Sequence, residues 1–504
     1  MRVTFVTTGL EHLGVSALSA YLRAHGHDTC LVYEARPFSS GSGTDVPALA
    51  RLLEPAPAEV AARVVATRPD VVAFSSYTVT HRWAVQVARA VKAALKVPIV
   101  FGGPHVGADP AHAITEPSID AVVEGEGEGA LLDLVECAER DGFGRDDIPN
   151  VTTSGPRGVR RNPVRPLIAD LDSLPFADKS GFYEAVPGYE REFYVISRRG
   201  CPFRCSFCEY SFFPRHYPGE KPVRRRSVDH LLREVSTWKA RGRVRKVFFW
   251  DPIFTLDPRW VAELADRWPR EIGLPFECYT HPNAMTEDMA GLLARAGCIM
   301  VRVGVQTVNS DTLAAVDRRG DAERIRRSIE ALAAAGIEYT VDHIIGLPGE
   351  GAADQLAALR FYNEVRPMRI IAHWMTYFPG TTAFERARAE GRLGAEDALR
   401  ILDGDIGPGY AFDGNVAYPD HDDLRRLSNV FDLLPLLPPS AVSWMLDSGA
   451  WRNLPTSSVL RQVGVAGLAL RGDEATRERV LHIFASVVEE LRSAVARRAR
   501  RRAA

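Results

Sequence analysis

Three cysteines stand within eight positions of one another, in the segment Cys201-Pro-Phe-Arg-Cys205-Ser-Phe-Cys208. The spacing is C-x3-C-x2-C, directly after a β-rich run, FYVISRRG. Three thiolates on one short loop can reach three corners of a cubane [4Fe–4S] cluster, leaving the fourth iron without a ligand from this motif. An open iron can chelate an amino and a carboxylate group. S-adenosylmethionine (SAM) offers both, with a sulfonium beside them to accept the cluster's electron. Cleavage of its S–C5′ bond then gives a 5′-deoxyadenosyl radical. The competing reading is zinc, which prefers four closed ligands, commonly as paired C-x2-C units. No second pair lies nearby, so Glu209 or His216 would have to complete a zinc site. The other cysteines, Cys30, Cys137, Cys278 and Cys298, are scattered and read as small buried apolar residues in a reducing compartment.

The elements that must position this loop come from hydrophobic periodicity. Over residues 1–135, short β-rich runs (RVTFVTT, DTCLVYEA, VVAFSSYT, VPIVFGG, IDAVV) alternate with helical ones (VSALSAYLRAHG, AVQVARAVKAAL, GALLDLVECAER). This is the pattern of a doubly wound parallel α/β domain, Rossmann-like and flavodoxin-like. Ligands of such sheets sit beyond the carboxyl ends of the strands. The candidate loops are therefore Thr7–Leu13, Ser75–Thr78, Gly102–His105 and Glu124–Glu128. Residues 141–190 are rich in Pro, Gly and charge and read as a linker packed between domains. From Phe193 onward six strand–helix repeats predict a partial (β/α)6 barrel, with its active site at the carboxyl ends of the strands. Beyond about Glu390 the chain reads as mostly helical. The predicted domains are thus 1–140, 141–190, 191–390 and 391–504.

Composition sets outer limits. The chain has 504 residues, 46% hydrophobic and 25% charged, with a formal net charge of −2, which favours neither nucleic acid nor an anionic membrane. No apolar stretch is long enough to span a bilayer, and the first residues do not resemble a secretory signal. The expectation is a cytoplasmic protein. The C-terminal run ARRARRRAA reads as a solvated helix end.

The cysteine segment and the six repeats together resemble the radical SAM superfamily. That resemblance implies SAM contacts from Phe207 and from each strand end. Trp250 and Asp251 end the second strand, where backbone carbonyls or Asp251 would meet the methionine amino group. Glu277 or Tyr279 ends the third. Arg302, Gly304 and Gln306 end the fourth, facing the SAM carboxylate and ribose. Asp342 and the segment IIGLPGE, with Gly346, mark the fifth strand and its adenine-facing loop.

Residues 1–140 resemble the cobalamin-binding (B12) domain that precedes the barrel in one large subfamily of these enzymes. The pieces that carry the resemblance are Thr8, Leu13-Gly14, Ser75-Ser76-Tyr77, Gly102-Gly103-Pro104-His105 and Glu124-Gly125-Glu126. Glycines at strand ends let backbone amides approach a bulky ligand. Ser75 and Ser76 can hydrogen-bond the dimethylbenzimidazole tail. The D-x-H-x-x-G motif that supplies a histidine to cobalt elsewhere is absent, which implies that no histidine binds the lower face.

The resemblance implies a C-methyltransferase that uses two SAM molecules per turnover, one as radical source and one as methyl source. Its substrate would be a small molecule, of the kind made in natural-product biosynthesis, and its reductant flavodoxin or ferredoxin. The alternatives are a radical SAM cyclase, dehydratase or mutase without methyl transfer, and a non-catalytic cobalamin or iron–sulfur sensor. Tyr210, Trp374, Tyr377, Tyr410 and Trp444 are candidates for the substrate cavity. No general base is assigned.

Overall fold

Near-continuous apolar runs such as VVAF and IVF bury both faces of a strand, and strands of that kind pair in parallel between helices. The computed structural model describes residues 1–36, 50, 53–143, 147–407, 413–416, 418–457 and 459–470. Its N-terminal sheet holds β1 (Arg2–Thr8), β2 (Asp28–Glu34), β3 (Val71–Ser75), β4 (Ile99–Gly102) and β5 (Ala121–Val123). They are parallel in the order β2-β1-β3-β4-β5. The reversal between β1 and β3 is the switch point at which doubly wound sheets bind ligands.

One expectation needs correction. Within 141–190, the segments Val151–Gly155 (β6) and Gly158–Arg161 (β7) form a hairpin that pairs antiparallel with β5 and extends the sheet to seven strands. The hairpin escapes periodicity because β7 is exposed throughout and β6 is buried only at its first two residues.

The second sheet is the partial barrel. It comprises β8 (Glu192–Val195), then β11 (Lys246–Phe249), β12 (Phe276–Thr280), β13 (Cys298–Gln306), β14 (Glu338–Ile345) and β15 (Arg369–Trp374), all parallel and in chain order. A two-stranded ribbon, β9 (Arg198–Arg199) with β10 (Arg224–Arg225), flanks the cysteine segment. The helices after the strands carry their own start signals. Ser227, Asp257, Thr286 and Asp321 each accept a hydrogen bond from a backbone N–H in the first turn of the helix they precede. The C-terminal region is helical at Ala395–Leu402, His421–Leu433, Pro439–Ser448 and Val459–Leu470.

The two sheets share one core. A single apolar cluster runs from Val3 and Phe5 through Phe182 and Tyr189 to Phe193 and Trp238. The carboxyl ends of the N-terminal strands are thereby held against the barrel.

Candidate active site

The cysteine loop is fixed at both ends. Before it, Gly200 has φ +88° and a Cβ there would strike the Pro222 carbonyl at 1.9 Å, so only glycine makes the turn from β9 into Cys201. After it, the Ser206 N–H donates to Val316 O and the Ala383 N–H to Ser206 O, both at 2.8 Å. Strands β13 and β15 thus anchor the loop through the segments that follow them. Arg318, 8% exposed, donates to the Cys205 sulfur at 3.4 Å and also to Gly304 O. All seven cysteines are free of disulfides.

Burial pushes the Cys201 thiol up to about 11 and the Cys208 thiol higher still. Holding either as a thiolate therefore takes compensating positive charge, which an iron–sulfur cluster supplies. Three free thiols on one anchored loop, with a cation already beside one of them, fit the donor set of such a cluster. Among the described residues no three His, Cys, Asp or Glu side chains are gathered as ligands of a single metal ion. His216, proposed to complete a zinc site, faces Glu124 at 3.6 Å instead.

The interior of the barrel is polar and aromatic. Tyr194, Phe248, Trp250 and Tyr279 form a continuous ring cluster with centroids 5.2–5.7 Å apart. Arg302 donates to the Tyr279 hydroxyl at 2.7 Å, and Asp342 stands 3.6 Å from the half-exposed His373 on β15. Trp250, 39% exposed, offers its ring and backbone to this space. Gly304 and Gln306 lie beside Arg318, and a Cβ on Gly304 would meet the Gln306 amide at 3.0 Å. Gly346 has φ +77° and sits under the Tyr418 ring, which a Cβ there would strike at 2.4 Å. Phe207 is partly buried against the cluster of side chains around Met375 and Phe384.

Two expected SAM contacts are otherwise engaged. Asp251 is fully buried, and its Oδ1 accepts from the Ser197 and Arg198 backbone N–H groups at 2.9 and 2.7 Å. It ties the end of β11 to the turn leading into the cysteine loop. Burial raises its carboxyl to about 6, against the opposing pull of Arg198. Glu277 accepts from Lys246 at 2.5 Å, and Lys246 also meets Glu192 at 2.9 Å. This buried triad forms the barrel floor.

At the carboxyl edge of the N-terminal sheet lies a cavity of about 330 Å³. Phe5, Ala73, Val100 and Val123 make its floor, and Leu13, Gly14, Ala17 and Leu18 of the first helix its wall. Ser75, Gly102, Gly103, Gly125 and Glu126 line its rim. Gly103 has φ +99°, and a Cβ there would come within 2.8 Å of Ser76. The Thr7 and Thr8 hydroxyls and His12 Nδ1, at the end of β1, are buried without a hydrogen-bond partner. A cavity with an apolar floor and helical wall, and with a serine and glycines at its rim, fits the aromatic base and nucleotide of a cobalamin tail.

Other predicted cobalamin contacts hold the protein together. Ser76 is buried and bonds His81 Nδ1 at 2.9 Å. The buried His105 pairs its Nδ1 with the Thr78 hydroxyl and its Nε2 with Leu402 O, at 3.1 and 2.9 Å. Tyr77 is 45% exposed, with its ring edge-on to His12. Glu124 makes a bidentate pair with Arg161, at 3.0 and 2.6 Å.

Arg318 and Lys246 carry no signal in the sequence, and the segments Asp403-Gly-Asp405 and Tyr418–His421 read only as polar turns. Asp403 meets His112 at 2.8 Å and Asp405 meets Arg82 at 3.1 Å, docking the C-terminal region on the first domain. Of the substrate-cavity candidates, Trp374 and Tyr377 are core residues, and Trp444 is 65% exposed on the outer helix Pro439–Ser448. Tyr410 lies outside the described residues.

Residues 195–362 match the family model of the radical SAM superfamily, and residues 3–135 match that of the B12 binding domain. An uncharacterized methyltransferase of Pyrococcus horikoshii, PH0819, is 28% identical over 340 residues, 64% of this chain and 71% of that protein. The cobalamin-dependent radical SAM methyltransferase TokK of Streptomyces tokunonensis is 27% identical over 300 residues, 56% of this chain and 43% of TokK. The match therefore spans less than half of TokK. The solved structure of the cobalamin-dependent radical enzyme OxsB, with aqua-cobalamin bound, superposes with a TM-score of 0.66 over 98% of this chain and 80% of that one, at 13% identity. It shares the fold.

Proposed function

The chain belongs to the radical SAM superfamily and carries a B12 binding domain ahead of its barrel, and on that premise we propose that it methylates an unactivated carbon of a small biosynthetic molecule. When bound, the cluster supplies the electron that cleaves SAM to a 5′-deoxyadenosyl radical, and cobalamin supplies the methyl group. The observation that carries this reading is the juxtaposition of two sites in one core. The nucleotide-tail cavity is lined both by the first domain and by Tyr194, Val195, Ile196 and Arg199 of the strand and ribbon that lead into Cys201.

The chain's own residues do the positioning. Cys201, Cys205 and Cys208 would hold three irons of the cluster, and Arg318 offsets charge at the Cys205 sulfur. Arg302 and the ring cluster of Tyr194, Phe248, Trp250 and Tyr279 would form the wall against which SAM sits, with Gly346 leaving room on the adenine side. Leu13, Gly14, Ser75, Gly102 and Gly103 receive the cobalamin tail. The electron comes from a small reductant such as flavodoxin or ferredoxin. The names of relatives such as TokK support methyl transfer.

The test is product analysis of the reduced, reconstituted protein with SAM and candidate substrates. Formation of 5′-deoxyadenosine and S-adenosylhomocysteine together, with label from the SAM methyl group in the product, is the expected result. 5′-Deoxyadenosine with an unlabelled, rearranged product would establish the cyclase or mutase reading instead.

A further inference from the structure

The loop after β5 reads Glu124-Gly125-Glu126-Gly127-Glu128, and its residues from Gly125 to Glu128 all line the tail cavity. Glu126 accepts from Arg199 at 2.9 Å and from Arg224 at 2.8 and 3.0 Å, and Glu128 accepts from Arg199 at 2.5 Å. Arg199 and Arg224 are register partners in the β9–β10 ribbon. The Glu126 backbone N–H donates to the Tyr217 hydroxyl oxygen at 3.0 Å, and a Cβ on Gly125 would collide with that hydroxyl. Burial alone would raise the Glu126 carboxyl; Arg199 and Arg224 outweigh it and hold it below the usual carboxylate range.

From Arg199 to Cys201 is two residues, roughly 7 Å of chain. The intervening Gly200 is wedged against Pro222, two residues before β10 begins its pairing at Arg224. Force on the ribbon therefore reaches the first cluster ligand through a short, packed path rather than through a flexible loop.

We propose that the Gly125–Glu128 loop couples the two cofactor sites: a cobalamin tail seated against this loop fixes Glu126 and Glu128, which clamp Arg199 and Arg224 and so set the position of Cys201. Glu126, Glu128, Arg199 and Arg224 are then positioning residues, and the acidic loop, itself part of the cavity lining, is a latch between domains. The proposal rests on the cobalamin reading above.

Hydrogen exchange of the full-length, cluster-loaded protein, with and without hydroxocobalamin, tests it. Loading should slow exchange in peptides covering 198–208 and 222–226 by about fivefold or more, the low end of usual coupling between sites. In Arg224→Gln, whose position lies off the cavity wall, the corrin spectrum should persist while that protection is lost. Tyr217→Phe, which keeps every ion pair and removes one hydrogen bond, should lose part of it and covers the case in which Arg224→Gln does not fold. Corrin that binds wild type without protecting the ribbon, or protects Arg224→Gln equally, overturns the latch and leaves the cofactor reading standing. A folded wild-type protein that binds no corrin overturns both.

Discussion

The Arg318 guanidinium donates to the Cys205 sulfur at 3.4 Å while it also bonds Gly304 O. One side chain from the segment after β13 thus touches both the cysteine loop and the strand end expected to face SAM. Hydrogen bonds and positive charge at a cluster sulfur favour the reduced state. Arg318→Met should therefore still assemble a cluster on its three cysteines, with a midpoint potential lower by on the order of 50 mV, close to a tenfold change for one electron. A potentiometric titration followed by electron paramagnetic resonance reads this shift, and an unchanged potential would remove Arg318 from the account.

Ala17 lies on the helical wall of the tail cavity. Ala17→Phe fills the slot with a ring. Corrin retention after gel filtration should fall at least about tenfold, the cost of roughly 1.4 kcal/mol of lost fit. Iron content and the cluster spectrum should not change. Retained corrin would place the tail elsewhere.

Lys246 neutralises two buried carboxylates, Glu192 and Glu277. Removing one partner of a buried ionic group leaves charge without compensation, at a cost of about 3–5 kcal/mol. Lys246→Met should lower thermal stability accordingly, and Lys246→Met with Glu277→Gln should recover part of the loss. Equal melting of both variants would mean that the triad does not act as a unit.

Glu350 gives a pH dependence. Burial raises its carboxyl to about 7 from the ordinary 4.5, although the Thr307 hydroxyl and the Gln355 amide both donate to it. A carboxyl raised on folding stabilises the folded state below pH 4.5, and that contribution is lost as pH rises through 7. Glu350→Gln should therefore gain stability relative to wild type across that interval, reaching about 1–3 kcal/mol at pH 8. Denaturation at pH 5 and pH 8 checks the sign.

Much of this was legible because local chemistry and periodicity agree. The C-x3-C-x2-C spacing needs no tertiary context to suggest a cluster, and the strand-and-helix alternation carries both sheets. What was not legible depends on partners distant in the chain. Glu126 looks like a ligand residue beside its glycines, yet its partners Arg199 and Arg224 lie 73 and 98 residues away. Asp251 stands at a strand end where a SAM contact is expected, but 54 residues earlier the Ser197 N–H claims its carboxylate. Arg318 sits in no motif, and only the fold brings it to Cys205. The β6–β7 hairpin is exposed on most of its surface and so leaves little hydrophobic trace.

The central claim is that one core holds a SAM-cleaving cluster and a cobalamin. Anaerobic reconstitution with iron, sulfide and hydroxocobalamin, followed by ultraviolet–visible spectra of the desalted protein, tests it directly. The account predicts iron–sulfur absorption that disappears in a Cys201→Ala, Cys205→Ala, Cys208→Ala triple variant, together with corrin absorption near one equivalent per chain. A folded protein that takes up the cluster but leaves the corrin in the wash would contradict it.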